Sequence, residues 1–190
     1  MAASRTDSGI TWVELLCALG LLALLTALGI PSFRDARSNA ATLSAANALI
    51  AAAHLARSRA LLLGQATVLC LSNDGERCLE TPGAANGWIA FVDRRRGRIA
   101  QRDAAEPLLA RSDLRGGVTL RGTRAAITYW PTPEAGTTAT ITVCPGGPNT
   151  YARALIVSQT GRPRLTRLGA SPGACRVMPV DPPFAAVRRR

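Results

Sequence analysis

Ser8-Gly9-Ile10-Thr11-Trp12-Val13-Glu14 opens the apolar part of this 190-residue chain, and Leu15-Leu-Cys-Ala-Leu-Gly-Leu-Leu-Ala-Leu-Leu-Thr-Ala-Leu-Gly-Ile30 continues it. As a helix, residues 10–33 are long enough to cross a bilayer, which takes about 20 apolar residues. Glu14 is the one charge inside the apolar run. A carboxylate at that depth costs roughly 2.5–3.5 kcal/mol on insertion scales and calls for a partner. Residues 1–9 contain no apolar h-region, and the run passes into Pro31-Ser32-Phe33-Arg34 instead of a small-x-small cleavage site. The segment therefore reads as one retained in the mature protein, not as a cleaved secretory signal.

Gly9 before an apolar residue, with Glu14 fifth counting Ile10 as first, resembles the class III leader of type IV pilins and pseudopilins. The resemblance implies that a prepilin peptidase cuts between Gly9 and Ile10 and methylates the new amino terminus. It implies that Glu14 pairs with the amino terminus of a neighbouring subunit during assembly. It further implies a single-pass anchor in the inner membrane, a periplasmic C-terminal domain, and other major and minor pilins as partners. Pro31 stands where pilin helices commonly carry a helix-breaking proline. Ile10 departs from the usual Phe but remains apolar. The alternative for the segment is a plain signal anchor.

All 23 basic residues are Arg. Residues 1–87 balance Arg5, Arg34, Arg37, Arg57, Arg59 and Arg77 against Asp7, Glu14, Asp35, Asp74, Glu76 and Glu80, so the net +11 belongs entirely to the remainder. That asymmetry suggests a polyanionic partner; a merely solvated basic surface is the alternative. Five cysteines fit an oxidising compartment. Cys17 lies in the apolar helix. Cys70 and Cys78 bracket a turn-like segment and suggest a local bridge, which would leave Cys144 and Cys175 for a second; other pairings of the four stay open. No CxxC spacing is present and the sole histidine, His54, is distant in sequence, so no zinc motif forms.

Beyond the apolar run, residues 34–63 hold no Gly or Pro and are rich in Ala, which favours continued helix. Ala46, Leu49, Ala53, Ala56, Ala60 and Leu63 repeat at three-to-four spacing as one apolar face, with Arg57 and Arg59 projecting elsewhere. Gly64 is a natural C-cap. The rod would be roughly 80 Å long at 1.5 Å per residue. His54 reads as a helix-surface or packing residue.

After Gly64 the pattern turns to strands at 66–71, 88–93, 118–121, 126–130, 138–144, 154–158 and 164–167, each bounded by turn residues. The last two read as a hairpin around Gln159-Thr-Gly-Arg-Pro163. Residues 103–109 could hold a short helical turn. The connections are too short for crossover helices, so the sheets should be mainly antiparallel. The fold class is α+β: a long N-terminal helix packed on a C-terminal β domain. The divisions are a leader at 1–9, a transmembrane and assembly half-helix at 10–33, an amphipathic half-helix at 34–64, a globular β domain at 65–178 and a loose basic tail at 179–190.

Gly87-Trp-Ile-Ala-Phe-Val-Asp93 with Glu106-Pro-Leu-Leu109 resembles the corresponding segment of the FimT/GspH group of minor pilins and pseudopilins. So do Tyr129-Trp-Pro-Thr-Pro-Glu-Ala-Gly136 and Ala154-Leu-Ile-Val-Ser-Gln-Thr-Gly-Arg162. The resemblance covers residues 8 to about 168 and implies a pilin-like fold.

No Gly-x-Ser-x-Gly elbow, phosphate-binding GxxxxGK[ST] or histidine cluster is present, and no carboxylate pair stands out. The sequence reads as a non-enzyme that takes no cofactor and no metal. Its chemical signal is Gly161-Arg162-Pro163-Arg164 at the hairpin. Pro163 restricts the backbone between two guanidinium groups, and Arg suits bidentate phosphate contact and stacking on bases. This stretch resembles the GRxR motif associated with DNA binding in FimT-type minor pilins of natural transformation, which implies DNA contact for Arg162 and Arg164. Arg167 would extend the patch along the next strand. Arg94, Arg95, Arg96 and Arg98 form a second basic cluster, either a further phosphate-contacting loop or a charged hairpin. Arg188, Arg189 and Arg190 could add non-specific affinity.

Together these readings describe a type IV pilus minor pilin that holds double-stranded DNA non-specifically for uptake. The alternative is a minor pseudopilin of a type II secretion system, or a pilus-priming subunit, that makes protein contacts only.

Overall fold

The structure is a computed structural model that describes residues 11–95, 100–132, 137–147, 150–169 and 175, except for the side chains at 28–31. The leader at 1–9 with its Gly9, together with Ile10, Arg96, Arg98 and the tail at 179–190, lies outside the described residues.

Helix α1 spans Trp12–Leu63. Thr11 caps it: its side-chain oxygen accepts from the Glu14 backbone N–H at 3.3 Å. Gly64 ends it in the left-handed conformation, φ 62°, which only glycine adopts without penalty. The helix continues past Pro31, where the family resemblance implied a break. A proline removes one backbone hydrogen bond, and the long runs rich in Ala and Leu at 15–28 and 40–63 sustain the helix across it.

The N-terminal part of α1 exposes Trp12, Val13, Leu15, Leu16, Leu19, Leu21, Leu22, Leu24 and Leu25. By length and composition it qualifies as a membrane-crossing helix, and the rest of the molecule covers none of its most apolar window. The C-terminal part buries Ala45, Ala46, Leu49, Ala52, Ala53, Ala56 and Ala60. This is the expected face with one correction. Leu63 is 46% exposed, as the last residue of α1 beside the Gly64 cap.

Among the described residues nine strands follow: β1 Ala66–Ser72, β2 Ala84–Ala85, β3 Gly87–Asp93, β4 Leu108–Asp113, β5 Thr119–Gly122, β6 Ala126–Tyr129, β7 Ala139–Cys144, β8 Arg153–Val157 and β9 Pro163–Arg167. They form two antiparallel sheets, in the orders β4-β3-β1-β6 and β2-β5-β7-β8-β9. β4 was not expected. Its sequence, Leu-Leu-Ala-Arg-Ser-Asp, alternates poorly, and it is an edge strand whose register shifts at Ala90/Phe91. The expected helical turn near 103–109 reduces to a turn at 104–106.

The main core lies between α1 and the inner faces of both sheets. It includes Leu49, Ala53 and Ala56 of the helix with Leu69, Leu71, Trp88, Leu120, Ile127, Tyr129, Ile141, Val143 and Leu155. The alanine stripe lets the strands approach closely: the Thr67 hydroxyl donates to the Ala56 carbonyl at 2.6 Å. A second, smaller cluster of Val68, Cys70, Cys78, Ile89 and Phe91 covers the outer face of β1 and β3. Both strands are thus buried on two faces, which is why they read as continuous apolar runs without alternation. A Cys70–Cys78 disulfide closes the loop over this cluster, and the Cys78 carbonyl accepts from Gln101 Nε2 at 3.0 Å. A second disulfide joins Cys144 to Cys175, and Cys17 is unpaired and exposed.

Candidate functional site

Strand register sorts the loops between two ends of the domain. At the end nearer the apolar half of α1, Thr150 Oγ1 donates to Ser38 Oγ at 3.1 Å, and Gly116 lies against Ala41. At the other end, Thr67 bonds to Ala56, Ala66 pairs with Asp93, and Thr67 pairs with Tyr129. The β8–β9 turn belongs to this second end. A Cβ on Gly161 would stand 3.5 and 3.6 Å from Cδ1 and Cε1 of Tyr129, and 3.8 Å from Arg57 Nε. The hairpin turn and the β3–β4 loop therefore share the end of the domain remote from the apolar helix.

The turn is held by its own chain. Gly161 N–H donates to the Ser158 carbonyl at 2.8 Å, and Ser158 N–H to the Arg162 carbonyl at 3.2 Å. Ser158 Oγ accepts from Arg162 N–H at 3.2 Å and lies 3.0 Å from Thr160 Oγ1. Gly161 has φ 72°. Gly161→Ala should lower stability by about 1–2 kcal/mol through the left-handed backbone alone, since its Cβ would meet only ordinary contacts. Urea unfolding measures this, and an unchanged midpoint would mean that the turn does not require the conformation described.

This geometry refines the sequence reading of Gly161-Arg162-Pro163-Arg164. The tip is Gln159 and Thr160; Arg162 closes the turn, Pro163 begins β9, and Arg164 lies within β9. Pro163 is tolerated because β9 is an edge strand. Strand alternation puts Arg162, Arg164 and Thr166 on one face, all exposed, and Pro163, Leu165 and Arg167 on the other, where Leu165 packs on the core. Arg162 and Arg164 are brought together. Arg167 is turned away from them, and its guanidinium carbon sits 3.7 Å from the Tyr151 ring centroid.

Partners separate the arginines further. Arg162, Arg164 and Arg57 have no carboxylate partner among the described residues. In the second cluster, Arg95 pairs with Asp103 at 2.8 Å, whereas the Arg94 side chain is exposed. That loop is organised by Glu106, 4% exposed. Its Oε1 accepts from the backbone N–H groups of Arg94 and Arg95 at 2.8 and 3.3 Å, and its Oε2 from that of Asp103 at 3.0 Å. Sequence reasoning missed Arg57, Tyr129 and Glu106 as members of this end. The only signal for Arg57 was its departure from the apolar helix face.

Among the described residues no three His, Cys, Asp or Glu side chains are grouped to hold a metal. His54 is exposed on α1. What this end can do chemically is offer guanidinium donors to an anion.

No curated protein matches the chain. Among solved structures it is similar to the type IV minor pilin FimU of Pseudomonas aeruginosa PAO1. Identity is 23%, over 65% of this chain and 91% of that one, with a TM-score of 0.47. It is also similar to the minor pseudopilin EpsH from the Type 2 Secretion System of Vibrio cholerae. Identity there is 17%, over 66% of this chain and 95% of that one, with a TM-score of 0.45. Residues 45–161 match the family described as type II transport protein GspH. The match runs from the buried half of α1 to the glycine of the β8–β9 turn, more than half of the chain, and on it this protein belongs to the GspH family of minor pilins and pseudopilins.

Proposed function

We propose that this protein is a minor pilin of a type IV pilus that binds double-stranded DNA non-specifically for uptake. One observation carries the reading: Arg162 and Arg164 share the exposed face of an edge strand, without carboxylate partners among the described residues, at the end of the domain remote from the apolar helix. Guanidinium groups without a carboxylate partner among the described residues are suited to a phosphate backbone. Arg94 stands at the same end as a secondary contact, with Arg96 and Arg98 following it in sequence. Arg167 is engaged with Tyr151 and contributes through the summed field. The test is titration of the full chain, in a non-ionic detergent, with labelled duplex DNA at several salt concentrations, against the Arg162→Ala/Arg164→Ala variant.

In this reading the chain is anchored in the inner membrane by α1 after prepilin peptidase cleavage between Gly9 and Ile10. The C-terminal domain is periplasmic, and the subunit joins other pilins through its helix. Glu14 pairs with a neighbour's amino terminus, and filament retraction draws the DNA inward. Glu14→Ala should abolish recovery of the protein in sheared filaments while leaving its membrane level unchanged. Normal recovery would remove Glu14 from assembly.

A second reading is favoured by the extent of the family match, which stops at Gly161, one residue before the arginine pair. The chain would then act as a structural pseudopilin of type II secretion, or as a priming subunit, through protein contacts alone.

A further inference from the structure

Arg57 is half-buried on α1, directly beneath the β8–β9 turn. Half-buried charges are ordinarily paired, because removing a guanidinium from water costs free energy that a counter-charge offsets. Arg57 has no carboxylate partner among the described residues. A polar group near it is the Tyr129 hydroxyl, buried and without a hydrogen-bond partner among the described residues. Burial pushes that phenol up in pKa, with the Arg57 guanidinium opposing the shift in part, so the group remains a neutral hydroxyl throughout the working pH range. It does not neutralise a guanidinium. Nothing described inside the fold balances the Arg57 charge.

Its surroundings point outward. Gly161 of the turn faces the Tyr129 ring and the Arg57 side chain at ordinary contact distance, and Arg162 follows immediately. Helix α1 thus brings a guanidinium to the base of the turn that carries Arg162 and leads into Arg164. These two are more than 100 residues from Arg57 in sequence.

We infer that Arg57 is a third anion-contacting residue, completing with Arg162 and Arg164 a phosphate-binding seam between α1 and the β8–β9 hairpin. The ligand class is a phosphodiester backbone. The Tyr129 ring positions Arg57 and the turn against each other; it is not itself a ligand contact. This inference rests on the DNA-binding reading above and deepens it: the DNA backbone would cross from β9 onto the helix that anchors the subunit, instead of touching the hairpin alone.

The test uses the full chain in non-ionic detergent, labelled duplex DNA, and a salt series, with Arg57→Gln and Arg57→Lys. Arg57→Gln should weaken binding about ten-fold and lower the salt slope by about one, the signature of one lost phosphate contact. Arg57→Lys should keep the slope and recover part of the affinity, because Lys retains the charge but not the planar fork. Thermal unfolding of both variants should stay close to wild type. Arg57→Gln binding like wild type, while the Arg162→Ala/Arg164→Ala variant has lost binding, would overturn this inference and leave the DNA-binding reading standing. Weakened binding with an unchanged slope and no rescue by Lys would also overturn it, since Arg57 would then act only by packing. Wild-type binding by both the Arg57→Gln and the double-alanine variants would overturn the assignment of the site to this seam, this inference included, whereas absence of salt-dependent binding by the wild-type chain would overturn the DNA-binding reading itself.

Discussion

The chain carrying Arg162→Ala and Arg164→Ala is expected to bind duplex DNA about a hundred-fold more weakly than wild type near physiological salt, with the slope of log affinity against log salt reduced by about two. Each arginine lost is one phosphate neutralised less, and each phosphate contact contributes about 0.9 to that slope by releasing condensed counterions. The fold should be untouched. Both side chains are exposed and neither has a carboxylate partner among the described residues, so their removal leaves no orphaned charge. Surface changes of this kind usually stay within about 0.5 kcal/mol. Fluorescence anisotropy at four or five salt concentrations gives affinity and slope together, and thermal unfolding gives the control. A double variant with wild-type slope would remove this site from DNA binding. A wild-type protein that shows no salt-dependent binding would move the protein to the structural pseudopilin reading.

The same comparison treats Arg167 as an internal control. Sequence spacing alone suggests that Arg162, Arg164 and Arg167 lie along one strand as a single patch. The register Val157↔Pro163 and Leu155↔Leu165 fixes which residues share a face, and an offset of three from Arg164 puts Arg167, itself exposed, on the face of Leu165. Its guanidinium is then taken up by Tyr151, which the chain order does not place near it. Motif reading finds the residue types; only pairing register tells which of them share a face.

The long helix and seven of the nine strands were legible for local reasons. Alanine-rich sequence without Gly or Pro, a left-handed glycine at its end, and β-branched runs between turn residues each declare themselves within a few positions. β4 and β2 were not legible, because an edge strand of mixed polar residues and a two-residue strand carry no periodicity to detect. Arg57 was invisible for a different reason. Its importance comes from lying beneath Gly161, a contact made through tertiary packing between α1 and the far end of the chain. No window along the sequence contains both.

Glu106 separates the stability of this end of the domain from its charge. Its carboxylate is buried and accepts three backbone N–H groups, from Arg94, Arg95 and Asp103, while its own carbonyl accepts from Arg102 Nε at 3.2 Å. Glu106→Ala leaves the three donors without their acceptor at a part-buried site. Each unsatisfied buried group costs about 1–3 kcal/mol, part of which loop relaxation recovers, so a net loss of about 3 kcal/mol is expected. That corresponds to a fall in Tm of about 10 °C for a domain of this size. Glu106→Gln keeps one carbonyl oxygen and should lose only about half as much. A Glu106→Ala protein with wild-type Tm would mean that the carboxylate does not organise the β3–β4 loop. The two predictions are orthogonal. The alanine pair at Arg162 and Arg164 should remove binding and keep the fold, whereas Glu106→Ala should weaken the fold and keep the salt slope set by those two arginines. If Glu106→Ala instead lowers the slope, the β3–β4 loop bearing Arg94 must be held in shape to touch the phosphates, and the interface extends across the whole end of the domain.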